Sequence, residues 1–226
     1  MLGRAAIAMW WDITPGMQAE FEDWHTHEHM PERLGIPGFL RGSRWLAVSR
    51  QPAYFVLYEA SRLATITAGP YLERLNNPTP WSQKMMPHHR NMVRSLCRAR
   101  AGFGGGLSHA LGTIRFSASP GKRRALSRWL TANAMPELPR RKGLSSARLL
   151  ESQPMAAAPR TAEQAIRGAD GEADLILLIG GYDEKAVRVT LDIELSADVL
   201  QTHGALPASL ARVYRLAHSL SSRESR

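Results

Sequence analysis

The fold is decided by a stretch of sequence that occurs twice. Residues 15–38 read "PGMQAEFEDWHTHEHMPERLGIPG" and residues 120–143 read "PGKRRALSRWLTANAMPELPRRKG". Without any gap, seven positions are identical: Pro15/Pro120, Gly16/Gly121, Trp24/Trp129, Met30/Met135, Pro31/Pro136, Glu32/Glu137 and Gly38/Gly143. Matches at one fixed offset indicate an internal duplication.

Both copies predict the same order of elements, βαββαβ, which is the ferredoxin-like unit. In copy one the strands fall at 4–13, 39–49, 53–61 and 89–99, with helices at 14–29 and 69–75. In copy two the strands fall at 109–118, 144–153, 173–182 and 210–219, with a helix at 119–135 and a weak one near 183–200. In copy one we expect Pro31 to end the first helix, because the residue before a proline avoids the helical region.

The composition of the connecting segments divides the chain. We expect a first repeat at 1–101 that carries the site, a glycine-rich linker at 102–108, a mainly structural second repeat at 109–220 and a disordered tail at 221–226. The stretch 153–173 predicts a mobile loop of small and polar residues. The linker "GFGGGLS" has a strand on each side, whereas a phosphate-binding glycine loop is followed by a helix.

The two repeats together predict an α+β fold. A four-stranded sheet with helices on one face leaves its other face bare, and two such sheets can cover one another. We therefore expect the two fused units to form an α+β barrel of the dimeric type within a single chain.

The net charge and the cysteine content of the chain bear on its binding partners and on its cellular compartment. The formal net charge is +9, but the basic residues are spread along the chain without a long run. We expect a solvated basic surface and no nucleic-acid partner, because charge alone carries no motif. The single cysteine excludes an intrachain disulfide, which suits the cytoplasm. No segment predicts a membrane span, and association of two chains into a homodimer stays open.

The copies differ in their polar residues, which locates the site in copy one. His25, Thr26, His27, Glu28 and His29 correspond to Leu130, Thr131, Ala132, Asn133 and Ala134. The flanking Trp, Met, Pro and Glu are retained, so folding of the helix does not require the histidines. Five of the eight histidines and five of the six tryptophans precede residue 101.

Helical geometry then ranks the polar residues of copy one. In a regular α-helix Glu28 continues the apolar stripe of Phe21 and Trp24, so we expect its carboxylate to face the sheet. His25 and His29 lie one turn apart along one edge of this apolar stripe, and His27 lies near the opposite edge.

Acid/base catalysis without a cofactor is the preferred mechanism. The catalytic candidates are His29, His25 and Glu28, because histidine titrates near neutral pH and burial raises the pKa of a carboxyl. Candidates for holding a small cyclic or aromatic anion are Arg33, Arg44, Tyr58, Trp81, His89, Arg90 and Asn91, with Trp10 and Trp11 as further ring contacts. In a regular strand His89 and Asn91 share one face with Val93 and Cys97.

A metal site is the alternative. His25 and His29 have i, i+4 spacing, and His89 is a candidate third ligand for a divalent ion. Haem ligation and non-catalytic binding of a small metabolite also stay open.

The chain resembles the dimeric α+β barrel superfamily, and within it the EthD-like group. The resemblance lies in "WHTHEHMPERLGIPGF" (24–39) and "PTPWSQKMMPHHRNMVRSL" (78–96). The superfamily includes cofactor-independent monooxygenases, lactone isomerases, small dehydratases or lyases, haem enzymes and non-catalytic members. The resemblance implies that His29, in "HMP", is the main functional position. It does not choose among isomerase, lyase, lactone hydrolase and monooxygenase activity.

Overall fold

The structure is a computed structural model that describes residues 1–49, 52–67, 69–153, 161–168 and 170–225. Copy one contains β1 (Ala5–Ile13), α1 (Gln18–Trp24), a π-turn (His25–His29), α2 (Met30–Leu34), β2 (Phe39–Ala47), β3 (Tyr54–Ala60), a 3₁₀ turn (Leu63–Ile66), α3 (Gly69–Asn76), α4 (Pro80–Met85), a second 3₁₀ turn (Met86–His88) and β4 (His89–Gly104). Copy two contains β5 (Ala110–Phe116), α5 (Arg123–Trp129), a π-turn (Leu130–Ala134), a 3₁₀ turn (Leu138–Arg140), β6 (Leu144–Ser152), α6 (Ala162–Arg167), β7 (Leu175–Gly181), α7 (Glu184–Val189), a π-turn (Thr190–Glu194), α8 (Ala197–Thr202) and β8 (Leu210–Ser221).

The eight strands close into one barrel, in the order β1-β3-β2-β8-β5-β7-β6-β4. Each repeat supplies four adjacent strands. The two seams are related by the duplication, because β2 pairs with β8 and β4 pairs with β6, both antiparallel. The predicted fold class is confirmed.

The buried apolar residues that the structure describes form three separate cores. The outer face of each four-stranded sheet packs under its own helices, which gives one core for each repeat. The inner faces of the two sheets pack against each other inside the barrel around Trp10, Trp45, Phe55 and Tyr214. Alternating residues of one strand therefore serve two different cores, since successive side chains point to opposite faces.

The duplicated residues keep the same structural roles. Gly38 and Gly143 adopt positive φ angles of 96° and 89° at the entry to β2 and β6, a conformation that favours glycine. Met30 and Met135 are both fully buried. The π-turns at His25–His29 and Leu130–Ala134 also coincide, so this irregularity belongs to the repeat rather than to the site.

Several boundaries differ from the predictions. The helix does not stop at Pro31, because the chain stays helical from the π-turn into α2, with His29 at φ −69° and ψ −44°. The linker begins inside β4, which runs to Gly104. Residues 221–225 are not frayed, since β8 reaches Ser221 and the Ser222 N–H donates to the Leu40 carbonyl at 3.0 Å. Arg226 lies outside the described residues.

The predicted loop 153–173 also differs from the structure. Its described part contains α6, which begins with a capping box between Thr161 and Gln164. Residues 154–160 and 169 lie outside the described residues. In the part of the chain that the structure describes, no helix is long and apolar enough to cross a membrane.

Candidate active site

A small cavity lies between the outer face of the copy-one sheet and the helices that cover it. Its volume is about 30 Å³, which is room for about two water molecules. Apolar and aromatic side chains supply most of the wall: Met9, Trp11, Trp24, Tyr58, Tyr71, Leu75, Met86 and Met92. The polar groups are three histidines, three arginines and one glutamate: His25, His29, His89, Arg33, Arg94, Arg167 and Glu163.

His25 is held at the floor of the cavity by two partners. An Arg44 Nη1 N–H donates to His25 Nδ1 at 3.3 Å, and His25 Nε2 lies 3.2 Å from the Tyr58 hydroxyl. Because Arg44 can only donate, the proton of the neutral imidazole lies on Nε2. Burial, followed by the charge of Arg44, lowers the pKa of His25 well below 6.5. His25 is thus neutral and fully engaged.

His29 has a buried ring nitrogen that makes no hydrogen bond. Its Nδ1 is buried without a hydrogen-bond partner, and a tenth of its side chain is exposed. Burial and the nearby Arg33 charge lower the pKa of His29 well below 6.5. The Glu32 carboxylate lies 4.0 Å from His29 Nδ1, which is too long for a hydrogen bond but close enough to favour a positive imidazole.

His89 completes the cluster from β4. Its Nδ1 lies 3.2 Å and 3.3 Å from the carbonyl oxygens of Met85 and Met86. Carbonyls only accept, so Nδ1 carries the proton and Nε2 keeps its lone pair. Burial lowers the pKa of His89 to about 4.

The π-turn is the reason that His25 and His29, rather than Glu28, face the sheet. Its i→i+5 hydrogen bond, from the Met30 N–H to the His25 carbonyl, inserts one residue relative to a regular α-helix. The prediction that Glu28 faces the sheet is therefore wrong. Glu28 Oε1 instead accepts from Trp24 Nε1 at 3.1 Å and from the Thr79 hydroxyl at 2.5 Å, so it ties the π-turn to the start of α4.

Two of the predicted arginines are buried near the cavity. Arg44 is 5% exposed and serves the His25 ring and the Glu22 carbonyl rather than the cavity itself. Arg33 is 2% exposed, lines the cavity and forms an ion pair with Glu163. Its Nη1 makes no hydrogen bond, although it lies 3.5 Å from Glu32 Oε2, within ion-pair distance. Arg33 is thus a buried donor with unused capacity.

A β-bulge changes which residues of β4 reach the cavity. Trp10 pairs with Val93 while Asp12 pairs with Arg90, so β4 has one extra residue, at the point where Asn91 has a φ of 55°. The predicted alternation is wrong for this reason: His89 shares a face with Met92 and Arg94, not with Val93 and Cys97.

The bulge also removes two predicted ligand contacts. Arg90 and Asn91 are both exposed, and the Asn91 amide donates to Asp12 Oδ2 at 3.1 Å. Neither residue lines the cavity. Trp81, half-buried on α4, also lies outside it, and Trp10 belongs to the barrel interior. Trp11 and Tyr58 line the cavity as expected.

Copy two contributes to the site through α6, which the sequence reasoning missed. Glu163 and Arg167 project from α6 over the cavity of copy one. Asn76 Oδ1 at the end of α3 accepts from the Ala162 N–H at 3.1 Å. The signal that could have located α6 is "TAEQ" at 161–164, a capping-box sequence.

The matching place in copy two is packed with apolar residues. Leu130, which corresponds to His25, is fully buried in the core of copy two with Leu126 and Leu191. A Cβ on Gly112 would lie 2.5 Å from Leu191. The polar cluster is therefore specific to copy one among the described residues.

The residues fit a metal ion poorly. Both ring nitrogens of His25 are engaged by Arg44 and Tyr58, and arginines surround the remaining two histidines. Within the described ranges no group of three or more His, Cys, Asp or Glu side chains is arranged to hold a metal. The alternative ligand set of His25, His29 and His89 is therefore not assembled.

The cavity at its present size does not fit a haem. Sites for cofactors and drug-sized ligands occupy roughly 300–1,000 Å³, about ten times the volume found here or more. A haem would require the helices above the sheet to separate, so no chemical step is assigned to it.

Comparison with known proteins agrees with the barrel. No protein-family model and no curated protein matches the sequence. Three solved structures are similar over nearly the whole chain. An anthrone oxidase-like protein has a TM-score of 0.67 at 12% identity, covering 98% of this chain and 94% of that one. A protein of Fusobacterium nucleatum subsp. nucleatum, provisionally assigned as a monooxygenase, has a TM-score of 0.60 at 8% identity, with coverages of 98% and 96%. A provisionally assigned chlorite dismutase has a TM-score of 0.51 at 12% identity, with coverages of 95% and 94%.

At these identities the similarity establishes the fold, a dimeric α+β barrel built from one chain. The narrower EthD-like resemblance stays a prediction.

Proposed function

We propose that the protein is an enzyme that removes a proton from a small phenolic or enolisable ring compound, with His29 as the base and no organic cofactor. The observation that carries the proposal is the neutral imidazole of His29 on the wall of a cavity lined by aromatic side chains, beside an Arg33 guanidinium whose Nη1 makes no hydrogen bond. Buried polar atoms without partners are rare in folded proteins, and each calls for an explanation.

The protonation state of His29 suits a base. Its lowered pKa keeps the imidazole neutral at neutral pH, so a lone pair is available without prior deprotonation. In the neutral His29 ring the proton lies on Nδ1, which faces Glu32. The lone pair of Nε2 is then free to accept the proton of the substrate. The Glu32 carboxylate at 4.0 Å then stabilises the imidazolium that forms. Glu32 takes the supporting role that the sequence assigned to Glu28.

Arginines would hold the resulting substrate anion. Arg33 Nη1 makes no hydrogen bond, and Arg94 Nη2 donates to the Tyr71 hydroxyl at 3.0 Å. Guanidinium donors aimed at a developing phenolate or enolate oxygen lower the energy of that anion, most of all in a site from which water is excluded. This placement favours an oxyanion over a neutral product.

The cavity walls suit a flat ring once the cavity has expanded. Trp11, Trp24 and Tyr71 offer aromatic faces, while Met9 and Met92 are flexible side chains that adapt to irregular ligands. Since the cavity has room for only about two water molecules, binding must move these methionines, α6 or both.

Oxygenation is the reaction type that the comparisons favour, since two of the similar structures are described as anthrone oxidase-like or as a provisional monooxygenase. In that form a ring CH2 group and O2 give a ring C=O group and water. The substrate supplies the electrons, one oxygen atom enters the ring, and the other leaves as water. Isomerisation, elimination and lactone opening share the first proton transfer and are the alternatives.

The test is oxygen uptake with anthrone and simple naphthols, measured against the rate without protein. Incorporation of labelled O2 is followed by mass spectrometry. We expect His29→Ala to reduce turnover at least 100-fold, because general-base contributions are about 10²–10⁴-fold. His27→Ala is the matched control, since His27 is exposed and paired with Asp23 at 3.0 Å. Unchanged turnover in His29→Ala would overturn the proposal, and tight binding without product would identify a binding protein.

A further inference from the structure

A second cavity lies inside the barrel, where the glycine-rich linker crosses one end. Its volume is about 40 Å³, enough for about three water molecules. The linker residues Gly106, Leu107 and Ser108 form part of its wall, and Leu57, Leu111 and Leu178 of the barrel core form its apolar side. Neither His29 nor any other histidine lines it.

Arg148 places a buried positive charge in this cavity. It is 9% exposed, and its Nη atoms donate to the carbonyl oxygens of Ala147 at 2.9 Å, of Gly104 at 2.7 Å and of Phe103. All three partners are neutral, and Arg148 forms no ion pair in the part of the chain that the structure describes. Burial lowers the pKa of Arg148, with Glu59 opposing and Arg41 adding to the shift, which reflects the cost of a buried cation that no carboxylate pairs directly.

The other charged pair in the wall is balanced. Arg41 Nε donates to Glu59 Oε1 at 2.9 Å, and Glu59 is 2% exposed. Met1 also lines the wall, and burial lowers the pKa of its α-amino group. With Arg41 and Glu59 cancelling, the side chains of the cavity carry a net charge of one positive unit, that of Arg148. A monovalent anion would neutralise it.

Glycine and serine residues leave space and donors beside Arg148. A Cβ on Gly180 would lie 2.5 Å from Ser146 Oγ and 3.1 Å from Ser108 Oγ, so only glycine leaves this space open. Across the cavity Trp45 is 3% exposed, and its indole N–H is buried without a partner. An indole N–H can only donate. The cavity therefore combines one unpaired cation, one unpaired donor and two hydroxyls.

We propose that this cavity is a binding site for a small monovalent oxyanion, of the size and charge of formate, acetate or nitrate. Its oxygens would accept from Arg148, Trp45 and Ser146, and the methyl group of acetate would face the leucines. A volume of about 40 Å³ suits an anion of this size without movement of the wall. The site is separate from the His29 cavity and does not depend on the proposed enzymatic function.

The test is isothermal titration of the full chain with sodium acetate, formate and nitrate, at constant ionic strength set with sodium chloride. We expect one saturable site per chain for at least one of these anions and none for acetamide, the neutral analogue of acetate. Gly180→Ala, which fills the space and leaves Arg148 in place, should weaken binding at least tenfold. Arg148→Gln should do the same.

Arg100→Gln is the matched control, because Arg100 is an exposed arginine paired with Glu151 at 3.0 Å, and its binding should equal that of the unaltered chain. A circular dichroism spectrum of each variant confirms that it is folded. Absence of saturable binding, equal binding of acetamide, or full affinity in folded Gly180→Ala would overturn the proposal.

Discussion

Arg33 of the first repeat and Glu163 of the second form an ion pair in which the side chains are only 2% and 3% exposed. The pair joins α2 to α6 across the top of the candidate active site. The second repeat is therefore more than a structural partner, because it supplies the carboxylate that opposes the main buried cation of the cavity.

Breaking this pair should cost stability. Removing one partner of a buried ion pair leaves an uncompensated charge and costs about 3–5 kcal/mol, so Glu163→Gln should lower the free energy of unfolding by about that amount. Glu184→Gln is the matched control. Glu184 is 23% exposed and paired with Arg215 at 2.7 Å and Arg188 at 3.4 Å, where such pairs contribute about 0–1 kcal/mol. Denaturant titration of both variants measures the difference, and equal losses would contradict the buried role of Glu163.

Stability should fall as the pH decreases below 6.5. The pKa values of His25, His29 and His89 are lowered in the folded protein, so the unfolded chain binds more protons in that range. Their contribution is complete above the unfolded value near 6.5 and is lost as the pH falls toward the folded values, about 4 for His89. Each histidine contributes a slope of about 1.4 kcal/mol per pH unit in that window.

Unfolding midpoints measured at intervals from pH 7 to pH 4 would show this slope. In His89→Gln the slope of the unfolding free energy against pH should decrease by the contribution of one proton, about 1.4 kcal/mol per pH unit. A pH-independent stability would mean that the cluster is hydrated in solution.

The pH profile of turnover should follow the same direction. A base with a lowered pKa stays unprotonated in moderately acidic solution, so kcat/KM should be flat through pH 6.5 and decrease only at lower pH. A decrease centred at or above 6.5 would mean that His29 is not the base. The profile is measured with whichever ring compound shows turnover in the oxygen-uptake assay.

The two turn glycines of the first repeat should differ in their sensitivity to substitution. Gly16 and Gly38 have similar positive φ angles of 88° and 96°. A Cβ on Gly16 would meet nothing within 4 Å, whereas a Cβ on Gly38 would lie 2.6 Å from Thr65 Oγ1 and 3.0 Å from Ser61 Oγ. Gly16→Ala should cost about 1 kcal/mol from backbone strain alone. Gly38→Ala should cost about 2–3 kcal/mol because overpacking is added. Equal costs by thermal unfolding would show that the contacts relax freely.

Most of the architecture could be read from the sequence because the duplication repeats the whole βαββαβ order. The site could be read only in part. His25, His29, His89, Arg33 and Tyr58, which the sequence named as site residues, line one cavity, and their roles stay predictions. The errors at Glu28 and Asn91 have the same cause. One residue is inserted relative to a regular element in both places, in the π-turn that contains Glu28 and in the β-bulge at Asn91.

A prediction from periodicity assumes a regular helix or strand. One inserted residue changes the face to which all the following side chains of that element point. The contribution of Glu163 to the site could not be predicted from the sequence for a different reason. It is a tertiary contact over 130 positions of the chain, and no local pattern connects its two ends.

The replacement of His25 by leucine at the matching position 130 has a consequence for how such a barrel can change. In an assembly of two identical chains, every substitution appears in both halves, so a mutation that fills one cavity fills the other. Joining the halves in one polypeptide removes that constraint. One half can then keep a reactive cluster while the other becomes ordinary core, and ligand binding at the candidate active site should saturate at one molecule for every eight strands.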